Sequence, residues 1–293
     1  MSTKLKLADE LYAANGMRFL AQAYEQISVF KMQKIRRSVL KTRDFLDRLS
    51  DVFFDVKGSY KDKIIALIKK KKHVPTVNSF STLPKNGKSV AVFLSANTRL
   101  YGDIISKVFQ SFKEYANTQS EVELVIVGKL GREIYDKESS SKKAYEYFEI
   151  PDNDVSFAQL EPLIAKILDY QKVTVFYGQF VNVLNQSAQG QEITGEQPVD
   201  DKQVQRQVHF LFEPSLENIL NFFETQIFTS AFKQTVHEAQ LARYASRINA
   251  MEEALVNIDK RIKNIKYLKL RAQKDIQNKK LQQTIAGISL WGG

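Results

Sequence analysis

Residues 244–265 read YASRINAMEEALVNIDKRIKNI, and this stretch decides the fold. Its apolar positions repeat at alternating spacings of four and three residues: Tyr244, Ile248, Met251, Leu255, Ile258, Ile262 and Ile265. A heptad seam of this kind stays dry only when it lies against a second helix. We therefore predict a helix that pairs with another helix along this coiled-coil seam.

The predicted helix extends beyond the seam in both directions. No proline follows Pro214, and the only later glycines are Gly287, Gly292 and Gly293. At about 1.5 Å per residue, residues 216–290 would span roughly 110 Å, which exceeds the width of an ordinary domain. We expect a rod that transmits or spans something.

A second long helix is predicted at the other end of the chain, from Leu7 to about Lys57. Met17, Leu20, Tyr24 and Ile27 follow spacings of three, four and three residues, which predicts that they form its apolar face. Two terminal helices with one-sided apolar stripes are expected to pair antiparallel. The C-terminal helix can then overhang its partner as a single helix.

The middle of the chain has a different pattern. Short apolar runs at 89–95, 121–128 and 172–177 predict buried strands, the last continued by 179–185, and 203–212 is a candidate fourth strand. Helical patterns occupy 103–115, 132–136 and 157–170, whereas 185–201 has the polar composition of a loop or hairpin turn. Strands that alternate with helices are typical of a mainly parallel α/β sheet.

The predicted fold class is α/β plus long helices: an antiparallel coiled coil of the N- and C-terminal helices with an inserted Rossmann-like α/β domain. We assign residues 1–60 to the N-terminal coiled-coil helix and 61–88 to a linker. Residues 89–212 form the predicted α/β insert. Residues 213–293 form the C-terminal long helix and its tip.

Composition limits the functions open to this chain of 293 residues. It has no cysteine, which excludes disulfides and thiolate chemistry. No stretch approaches the roughly 20 apolar residues of a membrane helix, so we expect an intracellular chain that meets membranes only through partners. The net charge is +10, and much of the excess lies between Lys260 and Lys280. This basic stripe indicates an acidic partner or a nucleic acid.

The motifs of common catalytic sites are absent from the sequence. There is no phosphate-binding P-loop, and residues 96–102 after the first strand hold a single glycine where a dinucleotide fingerprint needs three. The histidines, His73, His209 and His237, are dispersed and form no metal-binding pair. We expect no cofactor, no metal and no catalysis by this chain alone.

Several segments resemble a known family. Phe212-Glu213-Pro214-Ser215 matches a family motif that precedes a long C-terminal helix. Residues 238–254 resemble that helix, and the matching positions are Arg247, Ala250, Met251, Ala254 and, just beyond, Asn257. Weaker matches lie at Lys31-Met32, 43–45, 100–102 and 173–186. Over nearly its whole length the chain resembles the γ subunit of F-type ATP synthases, the central rotor shaft.

The resemblance implies a non-catalytic subunit that turns within a ring of α- and β-type ATPase subunits. It implies ε-like and membrane-ring partners at the foot of the shaft and a peripheral place on the cytoplasmic face of the cell membrane, or on the matrix side of a mitochondrion. The expected contacts with a β-subunit lever or catch are Lys260, Lys263, Lys266, Gln273, Lys274 and Lys280. The expected bearing at the shaft tip is formed by Ile285, Gly287, Ile288, Leu290 and Trp291.

Three departures from the family pattern leave alternatives open. A basic segment of the family is replaced at 19–26 by FLAQAYEQ, and an acidic position of the catch is occupied by Lys280. A glycine-rich loop of the family, at the foot of the shaft, has Asp103 in place of a glycine. One alternative is a γ-like shaft of a specialised F-type-like ATPase that drives motility or surface-protein processing. Others are a basic coiled coil that binds nucleic acid and a plain scaffold.

Overall fold

The computed structural model describes residues 3–60, 85–119, 121–138, 143–153, 155–193 and 215–291. Two long helices, α1 (Thr3–Ser59) and α5 (Leu216–Trp291), stand at the ends of the chain. Between them lie β1 (Ser89–Leu94), α2 (Ile104–Thr118), β2 (Val122–Val127), α3 (Lys129–Glu138), β3 (Tyr145–Phe148), α4 (Phe157–Leu168), β4 (Lys172–Phe180) and β5 (Gln186–Ile193). The predicted strand 203–212, most of the predicted linker and Phe212-Glu213-Pro214 lie outside the described residues.

The chain divides into two compact units. The α/β unit, Phe30–Ser246, contains the sheet. The helix-pair unit combines Met1–Val29 with Arg247–Gly293 and contains the beginning of α1 and the end of α5.

The α/β unit is built on one five-stranded sheet with the order β3-β2-β1-β4-β5. The first four strands are parallel, and β5 runs antiparallel to β4. At the centre, Val92 lies beside Val125 on β2 and Val175 on β4. These strands are rich in valine, isoleucine and phenylalanine because helices cover both of their faces.

The structure corrects the predicted edges of the sheet. β3 was not predicted, because its four residues are half-buried or exposed and lack an apolar run. Residues 186–193 were expected in a loop or turn, yet they form β5. Among them only Ile193 is buried, so β5 depends on its backbone hydrogen bonds to β4 more than on apolar burial. The predicted continuation of the third strand through Asn185 is wrong beyond Phe180, where the hairpin turn begins.

The predicted helices of the insert are present with shifted ends. The helix predicted at 103–115 is α2, and the one predicted at 132–136 is the longer α3. α4 contains Pro162 at its sixth position, further from the start than expected. Its N-terminus is fixed by a capping box in which Ser156 and Gln159 satisfy each other's backbone N–H groups.

Two apolar clusters cover the two faces of the sheet. One joins the sheet to α4 and to Phe228, Phe232 and Val236 of α5. The other joins it to α2, to α3, and to Ile35 of α1 and Tyr244 of α5. α5 therefore takes part in both clusters.

Further along the α/β unit, α1 and α5 pack directly on each other. Phe53 and Val56 of α1 meet Leu220 and Ile227 of α5. The rings of Phe53 and Phe223 lie 5.6 Å apart between centroids. Since Ile35 shares one cluster with Tyr244 and Phe53 shares another with Leu220, the two helices run antiparallel in this unit, as predicted.

Gly128, between β2 and α3, supports a prediction about stability. Its φ is +96°, and a Cβ there would lie 2.7 Å from the carbonyl oxygen of Ala96. Gly128→Ala should therefore lower the free energy of unfolding by about 2 kcal/mol or more. The matched change Gly16→Ala, inside α1 with no atom within 4 Å of the added Cβ, should raise it by up to about 1 kcal/mol. Chemical denaturation of both variants measures the difference, and equal effects would contradict it.

Candidate functional site

The helix-pair unit is an antiparallel pair held by contacts at successive levels. Arg261 donates to Glu10 at 3.1 Å, and Arg18 pairs with Asp259 at 3.3 Å. The guanidinium of Arg247 lies over the ring of Tyr24, 5.8 Å from its centroid. Residue numbers thus fall along α5 as they rise along α1, which defines the antiparallel direction.

The heptad positions of α5 face the interior. Ile248, Met251, Ile262 and Ile265 are buried, and Leu255 and Ile258 are half-buried. Ile262 and Ile265 pack with Ala14, Leu7 and Leu11 of α1. Tyr244 belongs to the α/β unit, where it meets the ring of Tyr101 edge-on at 6.1 Å.

The predicted apolar face of α1 is wrong. Met17, Leu20 and Ile27 are 60%, 62% and 50% exposed, and Tyr24 is 39% exposed. Beyond Leu7 and Leu11, the residues of α1 that are buried in this unit are small: Ala14, Ala21 and Ser28 recur every seven residues. Small side chains allow the two helices to approach closely, and Met17, Leu20 and Ile27 stay on the outside of the pair.

The residues predicted to contact a β-type subunit lie on the outside of the helix-pair unit. Lys260, Lys263, Lys266, Lys274 and Lys280 are exposed, and Gln273 is half-buried. Every residue from 274 to 286 is exposed. This part of α5 is therefore a single helix whose surface is available to partners on all sides.

The predicted tip lies at the end of this single helix. Ile285 is 58% exposed and Gly287 is half-buried. The helix continues to Trp291, but the side chains of Ile288, Leu290 and Trp291 fall outside the described residues. Their role as a bearing stays a prediction.

A second polar constellation lies inside the α/β unit, where β1 ends. We call it the carboxyl-edge clamp: Asp152, Gln240, Arg243 and Tyr244. The carboxylate of Asp152 accepts the N–H groups of Asn97 and Thr98, each at 2.9 Å, and the Thr98 hydroxyl at 2.7 Å. These donors follow β1 directly, so Asp152 closes the loop at the end of that strand.

The α5 side of the clamp brings a buried cation to the same place. Arg243 is 7% exposed, donates to the carbonyl of Ser95, and lies 3.8 Å from Asp152. Gln240 donates to the Asp152 carbonyl at 3.1 Å, and Tyr244 donates to Asn153. A buried charge needs such partners, since its desolvation is costly. The clamp thereby joins α5 to the carboxyl edge of the sheet.

This edge is where open α/β sheets bind their ligands. Here the cavity between the strand ends and α5 has a volume of about 20 Å³ and is lined by Leu94, Ser95, Val127, Ile150, Pro151, Val236, Ala239 and Arg243. That is room for about one water molecule, whereas ligand pockets have volumes from roughly 300 Å³. The crevice holds the helix in place of a ligand.

His237 extends the clamp by one further hydrogen bond. Its Nδ1 lies 3.1 Å from Oε1 of Gln240, whose amide group donates to Asp152, so His237 must be the donor in this pair. Burial lowers the pKa of His237; the hydrogen bond to Gln240 opposes part of this shift, and the charge of Lys233 adds to it. The fold therefore favours the neutral imidazole.

The clamp was not predicted from the sequence, for identifiable reasons. Asp152 follows β3, the strand that was not predicted, and its partners are more than 50 residues away. Arg243 carried one usable signal: it stands seven residues after Val236 and four after Ala239, on the same apolar helix face. A cation on such a face is expected to have a buried partner, but the sequence does not name that partner.

Comparison with known proteins decides the family. A family model described as ATP synthase matches residues 7–285. The chain belongs to the ATP synthase family. The predicted resemblance to its γ subunits is confirmed, because similar curated proteins are ATP synthase gamma chains. That of Staphylococcus carnosus is 22% identical over 294 residues, and that of Halothermothrix orenii is 21% identical over 295, each alignment covering 98% of both chains.

Solved structures confirm the fold class. The chain resembles a subunit in the central stalk and c-ring structure of the Tetrahymena thermophila mitochondrial ATP synthase, with a TM-score of 0.56 and 21% identity. The match covers 80% of this chain and 99% of that one. A chain of the Euglena gracilis mitochondrial enzyme gives a TM-score of 0.51 at 13% identity, covering 89% and 94%. The alternatives of a specialised shaft, a nucleic-acid-binding coiled coil and a plain scaffold are not favoured by these findings.

The clamp supports a prediction about stability. Arg243→Met leaves the Ser95 carbonyl and Asp152 buried without their cation, and should lower the free energy of unfolding by about 3 kcal/mol. Arg261→Met removes an exposed pair with Glu10 and should cost less than about 1 kcal/mol. Denaturant unfolding of both variants measures the contrast. Equal losses of unfolding free energy in the two variants would show that buried Arg243 contributes no more to stability than the exposed pair does.

His237 supports a prediction about pH. Because its pKa in the folded state lies below the ordinary value, protons bind the unfolded state more tightly, and stability falls as the pH drops below about 6.5. Between pH 7.5 and 5.5, the wild-type chain should lose more stability than His237→Asn, which has no proton to take up. This window lies above the range in which carboxylates such as Glu123, with its lowered pKa, are titrated. Thermal unfolding at the two pH values measures the loss, and equal losses in the two proteins would contradict the assignment.

Proposed function

We propose that the chain is the central rotor subunit of an ATP synthase complex and that it acts by its angular position, without catalysing the nucleotide reaction itself. The observation that carries this proposal is the family match over residues 7–285, which includes both long helices and the insert. ATP chemistry then belongs to α- and β-type subunits arranged in a ring around the helix-pair unit. The chain contributes an asymmetric axis to that ring.

An asymmetric shaft acts because its different sides make different contacts with the catalytic subunits. Each catalytic site exchanges between conformations, and the site that meets a given side of the shaft is stabilised in the conformation that fits that side. A full turn presents each side to each site once. Rotation and catalysis are coupled because neither can proceed without changing these contacts.

The lysines of α5 are the proposed contacts with the lever or catch of a β-type subunit. Lys260, Lys263 and Lys266 are exposed on the helix pair, and Gln273, Lys274 and Lys280 follow on or beside the single helix. An exposed ion pair contributes about 0–1 kcal/mol, so each contact with an acidic lever can form and break as the shaft turns. Several weak contacts in sequence suit a rotating part better than one strong contact.

The end of α5 is proposed to turn in a bearing of the ring. Residues 274–286 are exposed on all sides, and Ile285 begins the apolar end that includes Gly287, Ile288, Leu290 and Trp291. An exposed apolar end is unfavourable in water, and an apolar collar would cover it. The paired part of the two helices, below the single helix, would supply the stiffness.

The α/β unit is the proposed attachment point for ε-like and membrane-ring partners. The Euglena structure is described as comprising OSCP, F1 and the c-ring, and we propose an equivalent assembly for this chain. None of the described helices is both long and apolar enough to cross a bilayer. The chain would thus lie at the cytoplasmic face of the cell membrane, or at the matrix face of a mitochondrion, held by its partners.

The proposal predicts what the chain binds. Affinity purification of the tagged chain from its source, followed by mass spectrometry, should recover two ATPase subunits with phosphate-binding P-loops together with c-ring components. Recovery of nucleic acid that salt removes, without ATPase subunits, would instead support the basic coiled-coil alternative.

The proposal also predicts a role for the lysine charges. Lys260, Lys263 and Lys266 changed together to Glu should reduce coupled ATP turnover of the assembled complex several-fold, since attraction to an acidic lever becomes repulsion. The control changes Lys41, Lys107 and Lys137, which are exposed lysines of the α/β unit, to Glu, with the same change in net charge. Turnover and subunit content are measured for both complexes. Equal turnover in the two would show that the α5 lysines serve only solubility.

A further inference from the structure

The first half of α1 carries large apolar residues on the side that faces away from α5. Tyr12, Phe19, Leu20 and Ile27 are 84%, 71%, 62% and 50% exposed. We call these four residues the outer stripe. They lie on the helix face opposite Ala14 and Ala21, which are buried against α5. The stripe belongs entirely to the helix-pair unit.

The outer stripe is also free of charge. In residues 11–29 the only charged side chains are Arg18 and Glu25. Arg18 is paired with Asp259 on α5, and Glu25 is half-buried. The spaces between the large residues are filled by Ala13, Gly16 and Ala23. A smooth apolar surface about four helical turns long results.

The size of the stripe indicates what kind of partner covers it. Four side chains exposed to this degree present on the order of 500 Å² of apolar surface, near the upper end for the largest patch on a monomeric protein. A stable two-protein interface takes roughly 800 Å² from each partner. The stripe is therefore too large to leave in water and too small to support a dimer by itself. It fits one contact within a larger assembly.

We propose that the outer stripe contacts an uncharged, apolar surface on the ATPase ring subunits. This inference rests on the proposed function and specifies the chemistry of a partner surface. A charged partner surface is excluded because its side chains would lose their hydration against the stripe without gaining a pair. The partner surface must be apolar where it meets α1.

The consequence is a helix pair with two chemically different sides. The side formed by α1 is apolar, and Lys260 and Lys263 make the side formed by α5 basic. Ring subunits at different angles around the pair then meet different chemistry at the same time. The asymmetry that biases each catalytic site would thus lie in the chemical composition of the helix pair's surface as well as in its shape.

A lipid surface and a second copy of this chain are the two other candidates to cover the stripe, and the experiment below distinguishes them from a ring subunit. A lipid surface usually binds helices that place lysine or arginine beside their apolar face, and residues 11–29 offer no such cation on the outer side. A second copy of this chain would bury too little area, because the stripe is smaller than the surface that each partner of a stable dimer contributes. Neither agrees with the stripe as well as a ring subunit does.

The absence of cysteine permits a direct experiment. Phe19→Cys, Lys263→Cys and Leu184→Cys are made singly, labelled with a maleimide–benzophenone photo-crosslinker, and irradiated within the full complex in its membrane. Leu184, 75% exposed in the turn between β4 and β5, is the matched apolar control in the other unit. Mass spectrometry identifies each adduct. The expected result is that Phe19→Cys and Lys263→Cys capture α- or β-type ATPase subunits, at apolar and acidic segments respectively, whereas Leu184→Cys does not.

The outcomes separate this inference from the proposed function. If Lys263→Cys captures ring subunits but Phe19→Cys captures lipid, a second copy of the chain or nothing, the inference is wrong and the proposed function stands. If neither position captures a ring subunit, both fail. A capture by Phe19→Cys at an acidic or basic segment of the ring would also overturn the apolar assignment.

A functional measurement supports the crosslinking. Tyr12→Ser with Phe19→Ser removes most of the stripe without touching the buried seam, so the chain should keep its thermal midpoint. Coupled ATP turnover of the complex should fall at least threefold, whereas Leu184→Ser should leave it unchanged. Unchanged turnover in the double variant would overturn the inference.

Discussion

The α/β unit is organised around a segment of α5 that its neighbours enclose. No residue of α5 between 227 and 246 is exposed. The sheet, α4 and α1 all draw on this segment for their apolar contacts. Because the segment also carries His237, Gln240 and Arg243, burial obliges each of these groups to find a partner. Gln240 and Arg243 find theirs at the carboxyl edge of the sheet, and His237 pairs with Gln240. The clamp at Asp152 is the result.

The clamp explains how an α/β sheet can serve a mechanical role. In open α/β sheets that bind ligands, the crevice beyond the carboxyl ends of the strands receives a small molecule. In this chain the same crevice receives the side of α5, whose Gln240 and Arg243 donate to the carbonyl groups of Asp152 and Ser95. The sheet is thereby fixed to the part of α5 that lies in the α/β unit.

The pairing of α1 with α5 shows that helical periodicity alone does not determine which face of a helix is buried. α1 has two apolar stripes at helical spacing, one of large residues through Leu20 and Ile27 and one of small residues through Ala14 and Ala21. Hydrophobicity favours the first, but close helix packing requires the second. The large residues remain outside, where they supply a surface that the isolated chain does not cover.

The sequence alone determined the elements that depend on local spacing. The heptad of α5, the three apolar strands and the length of both helices follow from residues a few positions apart, and the family resemblance follows from short motifs. Tertiary structure decided whatever depends on distant partners. β3 and β5 exist because neighbouring strands pair with them through the backbone, although their own side chains carry little apolar signal. Asp152 and Arg243 meet although 91 positions separate them, and the buried face of α1 was selected by what α5 could accommodate. Spacing along a chain records which surfaces are apolar, but only the folded neighbours determine which of those surfaces are buried.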